Sequence, residues 1–330
     1  MRSGFPILSL PHVVFRRVSK SWDIFDLIKL LELSSEDLKK AVKLTKFETQ
    51  KVEVEFRKDY TVDVIVWFEG KEHTFNLIET MTEKMVPEFR QTSPLKCEIH
   101  YQRSQNQVEK ICKSILDLFR KSSIDRFQFS RNIYESDFKN YSNIIVDAKS
   151  VHVSPDSVTE EELDLIFGIF QKLENLSLRN RLPKNYKGLN NRKLKFLRVP
   201  SDWNGIKDFE VERLWLPKTL WTTFEFNFYI KHWLKAPNPC LKEVHVMVME
   251  ISNIFDGLTT NAWNPCSRGK YFISEDGWKP TAINCSEGLD IVREDGLMAT
   301  VTLEKSQVGF YVWHQKFPTV PKNARMQQKL

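Results

Sequence analysis

The sequence predicts an α+β / α/β architecture. A small N-terminal three-helix unit is followed by a β-hairpin region and an irregular leucine-rich-repeat-like α/β curved sheet with a C-terminal β-meander. Three observations predict it. Apolar residues recur at helical spacing up to about residue 42, then alternate with period 2 after Phe47. From about residue 123 an L-x-x-L-x-L pattern returns several times. Near the C-terminus Asp295-Gly296 stands between two alternating runs, a strong short hairpin signal. The implied boundaries are 1–47, 48–122 and 123–316, with a polar tail over 317–330 that reads as disordered.

The first helix has Ser9 as a candidate cap and Pro11 in its first turn, where a missing N–H costs nothing, with Val14, Phe15, Val18 and Trp22 on one face. Asp23 can cap a second helix, with Ile24, Leu27, Ile28 and Leu31 on one row and Leu30 and Leu33 on another. A third, short helix follows Ser34 or Ser35, acidic at its start and basic at its end as the helix dipole prefers. Three helices in about 40 residues have too little interior to bury all these faces. The next domain or a partner must cover them.

Val52, Val54 and Phe56, then Tyr60 to Phe68, then His73 to Leu77, alternate as strands, while the stretch Thr80 to Pro94 resists assignment. Val108, Ile111, Cys112, Ile115 and Phe119 mark an amphipathic helix. The repeated strand pattern falls at Tyr141/Ile144/Val146, Leu173/Leu176/Leu178, Leu194/Leu197/Val199, Val211/Leu214/Leu216 and Leu241/Val244/Val246. Thr159 with Glu162 forms a capping box ahead of one intervening helix, and a second runs from Phe226 to Leu234. This grammar fits a repeat-like curved sheet, and also a closed α/β domain.

Composition narrows the function classes. Hydrophobic residues at 41% supply a dense core, so most of the chain must fold. A formal charge of +6 is spread through interleaved acids and bases, which gives no stripe for nucleic acid. Five irregularly spaced cysteines fit a reducing compartment, hence an intracellular protein of cytoplasm or nucleus. The apolar run after Phe5 is interrupted by Pro6, Pro11 and His12, unlike a secretory signal, and no stretch is long enough to span a membrane.

Phosphate-binding and hydrolase signatures are absent, no C-x-x-C occurs, and Glu69-Gly-Lys-Glu-His73 places glutamate where a metallopeptidase helix needs histidine. No catalytic residue, metal or cofactor is therefore expected. His152, His232 and His245 read as structural histidines, and Trp215, Trp233, Trp263 and Trp313 as core.

Phe5-Pro6, Leu8, Leu10-Pro11, Lys20-Ser21-Trp22 and Ile28-Lys29-Leu30 resemble the F-box that opens nematode F-box proteins. Phe228 to Leu241, Gly257-Leu258 with Trp263 and Arg268, Asp290 to Val301 and Tyr311-Val-Trp313 resemble the type 2 F-box-associated domain of that group. The resemblance implies a non-enzymatic substrate-recognition adaptor of a cullin-based (SCF-type) ubiquitin ligase. The F-box would dock a Skp-type linker, and through it the cullin scaffold, while the C-terminal domain binds a client protein that the sequence does not identify. By position, Leu10, Pro11, Val14, Val18, Leu27, Leu30 and Leu33 would form the linker interface. On the bland reading the same residues form a small core against the β region. Ser34-Ser35-Glu36-Asp37 replaces the family's Cys-Ser-Lys-Arg-like stretch, and this departure motivates an alternative, a non-ligase interaction scaffold derived from an F-box protein.

Overall fold

A computed structural model describes residues 22–33, 37, 40, 47–80, 88–102, 107–119, 121, 123–134, 148–183, 186–189, 192–200, 210–235, 240–248, 252–275, 280–304 and 306–327. The chain forms two units, Met1–Leu173 and Glu174–Leu330, so the division falls inside the stretch 123–316 expected to be one domain.

In the first unit Asp23 accepts the Phe25 N–H at 2.7 Å and starts α1 (Ile24–Leu33). Then come β1 (Lys51–Phe56), β2 (Val62–Phe68), β3 (Lys71–Thr80), β4 (Glu88–Ser93), β5 (Lys96–Gln102), α2 (Gln107–Phe119), β6 (Arg126–Phe129), β7 (Ser150–Val153) and α3 (Glu160–Ile169). The strand order is β7-β6-β1-β2-β3-β5-β4. β1 to β3 form an antiparallel meander, and β6 joins it parallel to β1. The β2–β3 turn needs left-handed backbone at Glu69 and Gly70, which explains the glycine there. β4, the segment that defied assignment, is an edge strand with a mostly exposed pattern, so no apolar alternation marks it in the sequence.

Helix α1 packs against α2. Ile24, Phe25, Leu27 and Ile28 are buried, and the Phe25 ring meets Phe75 and His73 of β3 edge-on at 4.9 and 5.8 Å. α3 begins with the expected capping box: Thr159 Oγ1 accepts the Glu162 N–H at 3.2 Å, and Glu162 accepts the Thr159 N–H at 2.9 Å. The other Glu162 oxygen accepts the Ile133 N–H at 2.9 Å, which ties the β6–β7 connection to this helix.

The second unit contains β8 (Asn175–Leu178), β9 (Leu194–Arg198), β10 (Val211–Trp221), α4 (Thr223–Lys235), β11 (Glu243–Val248), β12 (Asn261–Ala262), β13 (Tyr271–Ser274), β14 (Thr281–Asn284), β15 (Leu289–Val292), β16 (Met298–Glu304), β17 (Gln307–Val312) and β18 (Arg325–Met326). Its main sheet runs β8-β9-β10-β11-β17-β16-β15-β12. β8 to β11 are parallel, and β11 then pairs antiparallel with β17, the third strand of the meander. β13, β14 and β18 make a separate small sheet. α4 buries Phe226, Tyr229, Ile230 and Trp233, with the Trp233 and Phe226 rings set edge-on to Phe310 of β17.

The expected fold class is overturned. The described residues are about 40% strand and 18% helix, so the protein is mostly sheet. No separate N-terminal three-helix F-box is present among them: α1 is built into the core of the first unit, where Ile24, Phe25, Leu27 and Ile28 are buried, the Phe25 ring lies on Phe75 of β3 and the helix packs against α2. The repeat-like α/β reading also fails. Four of its five strand patterns do fall on β8 to β11, and the two expected return helices stand as α3 ahead of β8 and α4 between β10 and β11, but no described helix separates β8, β9 and β10, and sheet outweighs helix. The Tyr141 to Val146 segment lies outside the described residues. The expected disordered tail instead returns to the small sheet, where the Arg325 N–H donates to the Pro280 carbonyl at 2.8 Å and β18 lies parallel to β14.

Candidate functional site

Four residues from the blocks that carry the C-terminal resemblance, Arg268, Asp290, Thr300 and Trp313, meet in one buried network of the second unit. Arg268 leads into β13, Asp290 sits on β15, Thr300 on β16, and Trp313 follows β17. Arg268 is fully buried and Asp290 is 2% exposed. Arg268 Nε donates to both Asp290 oxygens, at 2.8 and 3.0 Å, and its remaining nitrogens donate to the carbonyls of Gly269 and Cys285 at 3.0 and 2.9 Å. The Thr300 hydroxyl donates to Asp290 Oδ1 at 2.6 Å and accepts the Trp313 indole N–H at 2.7 Å. The guanidinium also lies over the Trp313 ring, 4.9 Å from its centroid. Every strong donor and acceptor in this cluster is matched, which is how a buried charge pair is tolerated. It is a framework rather than a reactive centre.

Beside this framework opens a cleft of about 400 Å³. β10 supplies Arg213, the start of β11 supplies Glu243 with Lys242 just before it, β13 supplies Phe272 and Ser274 with Glu275 just after it, and His314, Pro318 and Pro321 close another side. Glu243 is 3% exposed. Its Oε1 accepts the Ser274 hydroxyl at 2.8 Å, its Oε2 has no hydrogen-bond partner, and His245 Nε2 stands 3.6 Å away. Phe272 packs on Tyr311 and Trp313 at 5.0 and 5.5 Å between centroids, so this wall is anchored to the core. Sequence reasoning singled out neither Glu243 nor Ser274. They lie 31 residues apart on strands of different sheets, a separation that carries no motif.

The expected linker-interface residues are placed unevenly. Leu10, Pro11, Val14 and Val18 lie outside the described residues. Leu30 and Leu33 fall on α1, and Leu27 is 1% exposed within the first unit. The structure thus buries Leu27 in the chain's own core. Of the histidines, His152 Nε2 is 2.7 Å from Ser154 Oγ, and His245 lies between the rings of Trp215 and Tyr311 at 5.8 and 5.5 Å. Trp233 and Trp313 are core residues, each 2% exposed. Among the described residues no three His, Cys, Asp or Glu side chains gather as a metal ion would require. No described helix is long and apolar enough to cross a membrane.

No protein-family model matches the chain, and no solved structure matches it. The chain is similar to the uncharacterized protein F59B2.8 of Caenorhabditis elegans, at 23% identity over 361 residues that cover 96% of this chain and 80% of that protein.

Proposed function

We propose that the chain is a non-enzymatic adaptor of a cullin-based ubiquitin ligase, in which the N-terminal segment around Leu10 and Pro11 docks a Skp-type linker and the second unit captures a client protein in the cytoplasm or nucleus. One observation carries this reading. Trp263, Arg268, Asp290 and Trp313, which come from three blocks of the resemblance, are gathered around one network, and the Trp263 indole N–H donates to the Arg268 carbonyl at 3.3 Å. Residues matched at random along a chain have no reason to converge on one buried cluster.

The test is co-purification of the full chain with a Skp-type linker. Wild type is expected to retain the linker, and Leu10→Asp combined with Pro11→Ala to lose it while keeping the same urea midpoint. A wild-type protein that does not hold the linker under mild conditions sinks the adaptor reading. A second reading, an interaction scaffold that recruits no ligase, draws on the burial of Leu27 inside the first unit, which removes that side chain from any partner surface. Client capture without linker is its expected signature.

A further inference from the structure

We propose that the Glu243 cleft binds an amide group, the carboxamide of an asparagine or glutamine side chain or a main-chain peptide unit, presented by the client polypeptide. The client part of this proposal rests on the adaptor reading; the amide site itself does not.

The chemistry of the lining sets the kind of ligand. Two cations, Arg213 and Lys242, and two carboxylates, Glu243 and Glu275, line the cleft, so its charge favours neither sign. Arg213 and Glu243 are partners in register on β10 and β11, which roots a guanidinium and a carboxylate about 4.8 Å apart on one face of the sheet. Glu243 takes the Ser274 hydroxyl on Oε1, yet its Oε2 is buried and accepts no hydrogen bond. His245 Nε2, at 3.6 Å, is too far to supply one. A buried carboxylate oxygen in that state calls for a donor. Beside it, the Arg213 guanidinium lies over the Phe196 ring, 5.6 Å from its centroid, and a guanidinium stacked in this way still presents in-plane N–H groups to an acceptor.

An amide matches both neighbours at once: its N–H donates to Glu243 Oε2 and its carbonyl accepts from Arg213. Being neutral, it meets no like charge. A cation would stand against Arg213, an anion against Glu243, and a purely apolar group would leave the Glu243 oxygen unmatched. Two further polar groups of the lining are engaged elsewhere, Lys242 Nζ with Glu212 at 2.8 Å and His314 Nε2 with the Leu241 carbonyl at 2.7 Å. Phe272, Pro318 and Pro321 supply apolar wall for the carbon atoms that carry the amide. A single water takes up roughly 30 Å³, so it would leave most of the cleft of about 400 Å³, and that wall, uncovered.

The experiment is saturation-transfer NMR on the full chain with butyramide and its isomer N-ethylacetamide. The controls are 2-pentanone, which has the carbonyl without the N–H, and the charged analogues butyrate and butylammonium. At least one amide should receive about threefold more saturation than every control, in line with one net hydrogen bond. A stronger butyramide signal assigns the site to asparagine or glutamine side chains, and a stronger N-ethylacetamide signal assigns it to main-chain peptide. Glu243→Met removes the acceptor and Arg213→Met the donor; each should bring the amide signal down to the 2-pentanone level, and the second gives the same reading if the first folds poorly. Amide signals no higher than the controls overturn the proposal, and so does an amide signal unchanged in a variant that keeps the wild-type urea midpoint. The probes need neither linker nor client, and Glu243→Met should leave linker co-purification intact, so a failed cleft and a failed adaptor reading are told apart.

Discussion

Arg268 shows how one side chain can set the stability of the second unit. Its guanidinium is fully buried, and Asp290 is the carboxylate that balances it. Arg268→Met leaves Asp290 charged and buried with only the Thr300 hydroxyl as its remaining side-chain donor. The expected loss is about 3–5 kcal/mol, the range for removing one partner of a buried pair, read from urea unfolding. The double variant Arg268→Met with Asp290→Leu should recover much of that loss, because it removes both charges rather than stranding one. If the single and double variants were equally unstable, the pair would not be what the substitution breaks. Thr300 lies within a block quoted for the resemblance but carried no separate signal, since its role depends on Trp313 being brought across from β17 by strand pairing.

Helix α1 separates a docking surface from a core at the level of the element. Leu27→Ala should lower the stability of the full chain by about 2–5 kcal/mol, the usual cost of a buried leucine truncation. An unchanged urea midpoint together with lost linker binding would instead make Leu27 an interface residue and contradict its burial. The sequence made the limits of this helix legible, because Asp23 and the i, i+3, i+4 spacing are local signals. It did not reveal what covers the helix. That depends on Phe75, about fifty residues later in a strand whose alternation marks an inward face but not which helix lies on it. The same limit applies to β8 to β11: each strand was visible from its apolar pattern, while their common parallel direction and the meander docked on β11 were set by long-range pairing. The Glu243 cleft was illegible for the same reason, its parts being single polar residues with ordinary neighbours.

Across the whole molecule the five cysteines report on folding in both units. None is bridged; Cys97, Cys112 and Cys285 are buried, while Cys240 and Cys266 are exposed. Burial pushes Cys97 up to about 11, and Cys112 and Cys285 up to about 12, from an ordinary 9.0. Desolvation raises the phenols of Tyr229 and Tyr311 as well. In each case the folded state favours the protonated form. That contribution is fully present below about pH 9 and is lost as pH climbs toward 11 to 12. The urea midpoint should therefore show no thiol-linked fall between pH 7 and 8.5 and should drop above 9. Iodoacetamide at pH 8 should label Cys240 and Cys266 in the native protein and all five after urea, as counted by mass spectrometry; labelling of Cys112 or Cys285 without denaturant would contradict their burial. The position of β11 between β10 and β17 also bears on how the protein is made. A ribosome delivers β10 and β11 early, yet β17 begins 59 residues after Val248. At about 5–20 residues per second, the apolar edge formed by Val244, Val246 and Val248 waits roughly 3–12 s for its neighbour. Throughout that interval the nascent chain presents an unpaired strand able to join another polypeptide, so the cell must shield it until translation has passed Val312.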